Sequence, residues 1–161
     1  MNDEEKPMLS VLIDFTNVLL AALLVGAMFG VWLFLNPAGS DAVLYVALQQ
    51  QGIRGLDKTM PALGAATIVV TIVAAVLGRA DGTRLGLLVA AIACLVAAGL
   101  ITRFLNQPIN AIVMTWHREA PPTNWTRLRD EWWRWHQFRL VAGLAGLSLL
   151  IAATLKRGSI G

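Results

Sequence analysis

Cysteine is nearly absent from this sequence, with one residue among 161. A single cysteine excludes an intramolecular disulfide, a CxxC redox pair and a metal cluster held by thiolates. Cys94 lies within an apolar run, where a free cysteine usually serves as a small buried hydrophobe. Covalent cross-links therefore do not contribute to this fold.

Charge is also scarce, because charged residues make up 14% of the chain and apolar residues 57%. Soluble domains carry about 25% charged residues. The net charge of +3 comes with Glu119, Asp130 and Glu131 interleaved among the basic residues, whereas a nucleic-acid surface needs sustained, uncompensated positive charge. The composition predicts an integral membrane protein whose partner is the lipid bilayer and excludes nucleic acid.

Several catalytic signatures are missing as well. The sequence contains no Walker, Rossmann or nucleophile-elbow pattern, which excludes the common nucleotide-binding and hydrolase classes. His117 and His136 are its two histidines, and no pair of ExxH motifs is available to hold two irons in a bundle. We predict no metal and no cofactor; a haem or copper site, which would consume both histidines, is the least favoured alternative.

Four apolar stretches are long enough to cross a bilayer core of about 30 Å, which needs about 20 helical residues. The leading segment is acidic and the first run is too long for a signal peptide, so we expect that run to be a retained helix. Open strands would leave backbone groups unpaired in lipid. The sequence predicts an all-α, four-helix membrane bundle forming a single domain over residues 1–161, with spans at residues 11–35, 61–78, 85–105 and 138–155.

The connections between these spans differ in length. Residues 79–84 form a tight turn, whereas residues 36–60 and 107–137 form long connections that four spans place on the same side. The first contains a part-amphipathic stretch, residues 42–51, expected to lie along the membrane surface. The second is rich in tryptophan: Trp116, Trp125, Trp132, Trp133 and Trp135. We expect the chemistry of the protein on this side.

Basic residues and small residues give weaker predictions about orientation and assembly. The short turn and the C-terminal Lys156 and Arg157 favour both termini in the cytoplasm of a bacterial inner membrane, although a raw count of Lys and Arg favours the reverse. Gly26 and Gly30 form a GxxxG step, which serves either packing within the bundle or a homo-oligomer.

Two polar stripes are predicted at the tryptophan-rich end. Arg103, Asn106, Gln107 and Asn110 share one face of a helix continuing from the third span, and Trp132, His136 and Arg139 repeat that spacing before the fourth span. Pro108 is expected to interrupt or bend the first helix. Tryptophan, arginine and histidine at membrane ends also serve as interfacial anchors, and buried asparagines also join helices. The spacing predicts that the stripes face one another.

The stretch TRFLNQPINAIVMTWHREAPPTNWTRLRDEWWRWHQFRLVAGLAGL resembles the DUF1772 family of small membrane proteins, which includes the anthrone oxygenases. The resemblance is carried by an N-x-P-x-N element, here Asn106, Pro108 and Asn110. It is also carried by a W-x-x-W-x-x-x-R element, here Trp132 with Trp135 and Arg139. Anthrone oxygenases oxidise a polycyclic anthrone to an anthraquinone with molecular oxygen, with no organic cofactor established for the family.

The resemblance implies a membrane oxidoreductase, a monooxygenase without a cofactor, for a lipophilic polycyclic aromatic. Deprotonation of such a substrate needs a base and groups that hold the resulting oxyanion. The expected catalytic residues are His136 as the base and Arg139 and Asn110 as the oxyanion partners. The expected substrate-binding residues are Arg103, Asn106, Trp116, Trp132 and Trp135. The alternative is a non-catalytic membrane subunit, or a protein that binds a lipid or quinone without turnover.

Overall fold

The computed structural model of the protein describes residues 5–35 and 40–158. The start of the acidic leader, residues 1–4, and the start of the first long connection, residues 36–39, lie outside the described residues, as does the side chain of Arg157. Its helices are α1 (Glu5–Phe34), α2 (Ala42–Leu56), α3 (Thr59–Leu77), α4 (Gly82–Ile101), α5 (Gln107–Val113) and α6 (Trp125–Gly158), with a π-helical turn at Thr102–Asn106. The described residues contain no strand.

Four segments are long and apolar enough to cross a membrane: Met8–Phe34, Thr59–Leu77, Gly82–Val113 and Trp125–Lys156. The predicted all-α membrane bundle is confirmed. The four pack as a ring, in which α1 contacts α3 and α6, and α4 contacts the same two helices. The helix α2 packs on α3 and α5 at one end of this ring.

The non-helical link between α5 and α6 is shorter than the predicted tryptophan-rich connection of residues 107–137. The helix that contains α4 and α5 continues to Val113, and α6 already begins at Trp125. Within the predicted connection, residues 107–113 and 125–137 are helical, and only residues 114–124 link the two helices. Hydropathy locates the apolar part of a helix and gives no signal where a helix continues into polar residues.

The polar-end extensions α5 and the first turns of α6 form a second packing cluster, against which Ile53 of α2 packs. Its buried members are Ile109, Val113, Leu128 and Trp132, and it is separate from the main core between the four long helices. A helix of 34 residues, such as α6, is about 51 Å long at 1.5 Å per residue, which exceeds the bilayer core. The second cluster therefore lies at one boundary of the bundle, on the side of both predicted long connections.

The opposite end of the bundle is held by a buried ion pair. Arg84 Nη2 donates to both carboxylate oxygens of Asp14, at 2.7 and 2.9 Å, and both residues are buried. One turn along α1, Asn17 accepts a 2.8 Å hydrogen bond from the hydroxyl of Thr71. Arg84 at the start of α4 gives Asp14 a partner that the pattern of a single helix does not reveal.

Small residues have two different roles in the bundle. Gly143 and Gly146 on α6 allow close packing, since a Cβ on Gly143 would lie 2.7 Å from Met28 Cε and one on Gly146 would lie 3.2 Å from Leu95 Cγ. Gly26 and Gly30 on α1 meet nothing within 4 Å. The GxxxG step of α1 therefore faces outward and does not contribute to packing within the bundle.

Candidate functional site

A π-helical turn marks the point where the third span enters the polar end of the bundle. The Gln107 N–H donates to Thr102 O, five residues back. Pro108 follows directly, and it has no N–H to donate. The regular α-helix stops at Ile101 and resumes as α5 at Gln107, so the irregular turn lies directly before the proline, at which the sequence predicts an interruption or a bend. Turns of this kind are frequent at functional sites.

The two predicted polar stripes meet across the bundle at Trp132. The Trp132 Nε1–H donates to Asn110 Oδ1 at 2.8 Å, and Asn106 Nδ2 donates to the Trp132 carbonyl at 3.0 Å. Asn106 is 0% exposed and its Oδ1 has no partner among the described residues. Both asparagines of the N-x-P-x-N element therefore bind one tryptophan of α6, and this contact fixes α5 against α6.

Arg139 is held in place by three neighbouring groups. Its Nε–H donates to His136 Nδ1 at 2.9 Å, its Nη1 donates to Thr102 Oγ1 at 3.4 Å, and its Cζ lies 5.7 Å from the centre of the Trp132 ring. A cation over an indole face is attracted by the ring quadrupole. The guanidinium is therefore oriented before any ligand binds.

His136 is fixed from both of its ring nitrogens. Nδ1 accepts from Arg139, so the neutral ring carries its proton on Nε2, which donates to the Met28 carbonyl at 3.1 Å. The ring is 0% exposed and stacks on Trp132 at 5.1 Å and Trp133 at 5.7 Å. With both nitrogens engaged, the geometry favours a role for His136 in orienting Arg139 rather than in accepting a substrate proton.

Arg139 has no acidic partner in the part of the chain that the structure describes. The ion pairs found there are Arg84–Asp14, Arg127–Glu131 and Arg129–Asp130. A charge in a low-dielectric site is costly unless it is paired. A half-buried guanidinium without a carboxylate partner is therefore an attractor for an anion or for the negative end of a carbonyl.

Two adjoining cavities open in front of this guanidinium. The inner cavity, of about 50 Å³, is lined by polar groups of Gln49, Thr102, Gln107, Asn110 and Arg139, and by Trp132 and Asp57. The outer cavity, of about 260 Å³, is mainly apolar and lies between α3 and the α4 end. Residues shared by both linings, including Met28, Met60 and Arg139, make them neighbours. Together they offer an apolar chamber with a polar edge, the usual form of a small-molecule site.

The outer cavity opens on the lateral face of the bundle. Its wall includes the exposed residues Ala65 on α3 and Gly99 on α4. Arg103, on the π turn, is also exposed and lines this cavity. Part of the wall of this cavity therefore lies on the outer face of the bundle, between α3 and α4.

Four of the predicted site residues line these cavities and four do not. Arg139, Asn110 and Trp132 line the inner cavity, and Arg103 lines the outer one. His136 and Asn106 lie behind this lining, where they hold Arg139 and Trp132. Trp116 and Trp135 also lie outside both linings and pack against the second cluster.

The helix α2 supplies functional candidates that the sequence pattern missed. Gln49 is buried, its Nε2 donates to Asn110 Oδ1 at 3.4 Å, and its Oε1 has no partner among the described residues. Gln50 is also buried and donates to the carbonyls of Val113 and Trp116, both at 3.0 Å. Both amides face the protein interior, on the side of α2 that packs on α5.

Burial also affects an aromatic side chain of α2. The Tyr45 ring packs against Trp125 at 5.6 Å, and its hydroxyl is buried without a partner among the described residues. Burial raises the pKa of the Tyr45 phenol far above its usual value, against a smaller opposing effect of Arg129. Tyr45 is therefore a neutral packing residue at physiological pH.

The described residues contain no group of three or more histidine, cysteine or acidic side chains placed to hold a metal. His117 is exposed in the connection between α5 and α6, whereas His136 is buried in α6. The two histidines thus occupy different environments.

The comparison with known protein families identifies one match. A family model described as anthrone oxygenase matches residues 51–149, a range that runs from the end of α2 through the π turn to Arg139 and beyond. No curated protein and no solved structure matches the chain. Because the family model covers more than half of the chain, the protein belongs to the anthrone oxygenase family.

Proposed function

We propose that the protein is a membrane oxidoreductase that oxidises a lipophilic polycyclic aromatic ketone with molecular oxygen. The observation that carries this proposal is the oriented, uncompensated guanidinium of Arg139 at the polar edge of an otherwise apolar cavity. The family supports the reaction class, and the cavity supports a flat, apolar substrate with one oxygen directed at Arg139.

The reaction consumes one dioxygen and releases one water. The methylene carbon next to the aromatic ketone system loses a proton, and the electron pair of that C–H bond moves onto the ketone oxygen. The electron-rich ring then reacts with dioxygen, so that the carbon is oxidised and the oxygen reduced. One oxygen atom stays as the new carbonyl, and the other leaves as water with two hydrogens from the methylene carbon.

Stabilisation of the oxyanion is the main task of the protein in this scheme. Guanidinium and amide groups that are already oriented stabilise developing charge without reorganisation, which is often the largest catalytic contribution. Arg139 supplies the charge, and Asn110, Thr102 and Gln107 supply polar groups on the same inner cavity. The amide oxygen of Asn110 is engaged by Trp132, which leaves its amide nitrogen as the donor for a ligand.

His136 and Asn106 hold the residues that line the polar edge of the cavity. His136 fixes the Arg139 Nε–H, and its own ring is fixed by the Met28 carbonyl and two tryptophans. Asn106 fixes the backbone of Trp132. We therefore assign His136 and Asn106 to the orientation of Arg139 and Trp132.

The proposed orientation keeps both termini in the cytoplasm of a bacterial inner membrane. Asp14 compensates the charge of Arg84, so Arg79 and Lys156, both exposed, are the described charges that support this topology. A cysteine introduced at Arg79 in a Cys94→Ala background should react with a membrane-impermeant maleimide only after the cells are opened. Labelling in intact cells would reverse the proposed orientation.

Oxygen uptake tests the function directly. Purified protein in detergent is mixed with emodin anthrone, and oxygen consumption is compared with quinone formation. We expect one oxygen per quinone at a rate well above spontaneous oxidation, and a large loss in Arg139→Gln. Saturable binding of emodin anthrone without any acceleration would instead favour the second candidate, a protein that binds a lipophilic molecule without turnover.

A further inference from the structure

The lining of the two cavities contains a single acidic residue among the described part of the chain, Asp57. Asp57 follows the last residue of α2, and its backbone N–H closes the helix by bonding to Ile53 O at 2.9 Å. Only Asp57 and Lys58 separate α2 from α3. This link places Asp57 on the lining of the inner cavity.

Asp57 and Arg139 line the same cavity without neutralising one another. No carboxylate oxygen lies within 4.0 Å of an Arg139 nitrogen in the described residues, and Asp57 forms no ion pair there. The carboxylate of Asp57 and the guanidinium of Arg139 therefore both face the inner cavity and do not contact each other. The inner cavity, of about 50 Å³, leaves room for the part of a ligand that lies between Asp57 and Arg139, and the adjoining cavity of about 260 Å³ takes the remaining rings. Such a ligand presents a proton to Asp57 and an oxygen to Arg139.

The other basic candidate near this cavity is already engaged. Both nitrogens of His136 are hydrogen-bonded, and the ring is fully buried behind Arg139. Asp57 is exposed, so a proton that it accepts can pass to bulk water. A base in contact with both ligand and water can complete a catalytic cycle, whereas an enclosed base needs a further relay.

From this geometry we infer that Asp57 is the general base that removes the methylene proton of the substrate. The inference rests on the proposed function. The C–H bond breaks, an O–H bond forms on the Asp57 carboxylate, and the electron pair moves to the substrate oxygen beside Arg139. The cation lowers the basicity of that oxygen, which brings the carbon acid within reach of a carboxylate. General bases of this kind contribute about 10²- to 10⁴-fold.

Proton removal can be measured without the oxidation. In anaerobic D₂O, the protein should accelerate the replacement of the methylene hydrogens of emodin anthrone by deuterium, followed by NMR. We expect Asp57→Asn to lower this exchange and the aerobic kcat about 100-fold, as expected for loss of a general base, with KM nearly unchanged. Asp57→Ser is a second neutral variant with the same expected loss. Glu119→Gln, an exposed acid in the connection at the same end, should behave like the wild type.

Two kinds of failure are distinguishable in this experiment. If the wild type accelerates exchange and both folded Asp57 variants do so equally well, Asp57 is not the base, although the proposed function stands. If the wild type accelerates neither exchange nor oxygen uptake, the proposed function itself fails and the role of Asp57 fails with it. Loss of exchange in both Asp57 variants, with Glu119→Gln unaffected, supports the assignment.

Discussion

Each end of the bundle holds an arginine among its helices, buried for Arg84 and half-buried for Arg139, and the two charges have opposite surroundings. Arg84 is paired with both carboxylate oxygens of Asp14. Gly78 packs against the Arg84 guanidinium so closely that a side chain at position 78 would have no space. Arg139 has a histidine, a hydroxyl and an indole as neighbours and faces a cavity. A charged group that stabilises a fold has its partner within the protein. A charged group that binds a ligand is held in one orientation and has no partner of opposite charge until the ligand is present.

This comparison predicts its largest effect at the paired end. Asp14→Ala leaves Arg84 buried without its carboxylate, which should lower the free energy of unfolding by about 3–5 kcal/mol. The unfolding midpoint can be followed by tryptophan fluorescence in detergent, with oxygen uptake per folded molecule unchanged.

The matched control replaces both partners. Asp14→Leu combined with Arg84→Met removes both charges and should recover most of the lost stability, since a buried pair can often be replaced by apolar residues. A loss below about 1 kcal/mol for Asp14→Ala, typical of a surface pair, would contradict the structural role of this end.

The second prediction concerns the incomplete end. Arg139→Gln should lower kcat by about 10²- to 10³-fold, as expected when a preoriented oxyanion donor is removed, with a small effect on the unfolding midpoint. Arg134→Gln is the control, because Arg134 is an exposed residue of the same helix. If Arg139→Gln lowers the unfolding midpoint as much as Asp14→Ala does, Arg139 stabilises the fold in the same way as Arg84 and the proposed difference between the two ends is contradicted.

The third prediction returns to the packing around Arg84. A Cβ on Gly78 would lie 2.6 Å from Arg84 Nη1 and 3.0 Å from its Cζ, so Gly78→Ala should destabilise the protein by about 1–3 kcal/mol through overpacking. Gly86→Ala, where a Cβ meets open space, should leave stability equal or slightly higher because alanine favours the helix. Equal midpoints for the two variants would show that this end is loosely packed.

The smallest expected effect on activity comes from removing the hydrogen bond between Trp132 and Asn110 at the polar edge of the cavity. Trp132→Phe keeps an aromatic ring beneath Arg139 and removes the 2.8 Å bond to Asn110, a loss of about 1 kcal/mol or about fivefold in kcat/KM. Trp133→Phe serves as the control, since Trp133 stacks on His136 without a hydrogen bond to the cavity edge. If the two variants have equal kcat/KM, the orientation of Asn110 does not matter.

The sequence predicted most of the fold because bilayer thickness imposes long apolar runs. The same reasoning could not locate the end of α5 or the start of α6, where helices continue through polar residues. It predicted that the stripes around Asn110 and Arg139 meet, because helical spacing alone places each set on one face.

Other parts of the site depend on tertiary contacts that spacing does not encode. The inward direction of Gln49 cannot be read from hydropathy, since a polar face can be directed at water or at a polar cavity. The engagement of His136 by Met28 on α1 joins residues 108 positions apart. A sequence signal was available for Asp57, an acid between two helices, but only the link between α2 and α3 places it on the cavity.

The most direct test of the account is the ionisation state of a bound ligand. Emodin anthrone is added anaerobically at neutral pH, and its absorption spectrum reports whether the bound molecule is neutral or an oxyanion. We expect the oxyanion spectrum with the wild type and with Arg134→Gln, and the neutral spectrum with Arg139→Gln. The oxyanion spectrum with all three proteins would show that Arg139 does not stabilise the charge and would contradict the central claim.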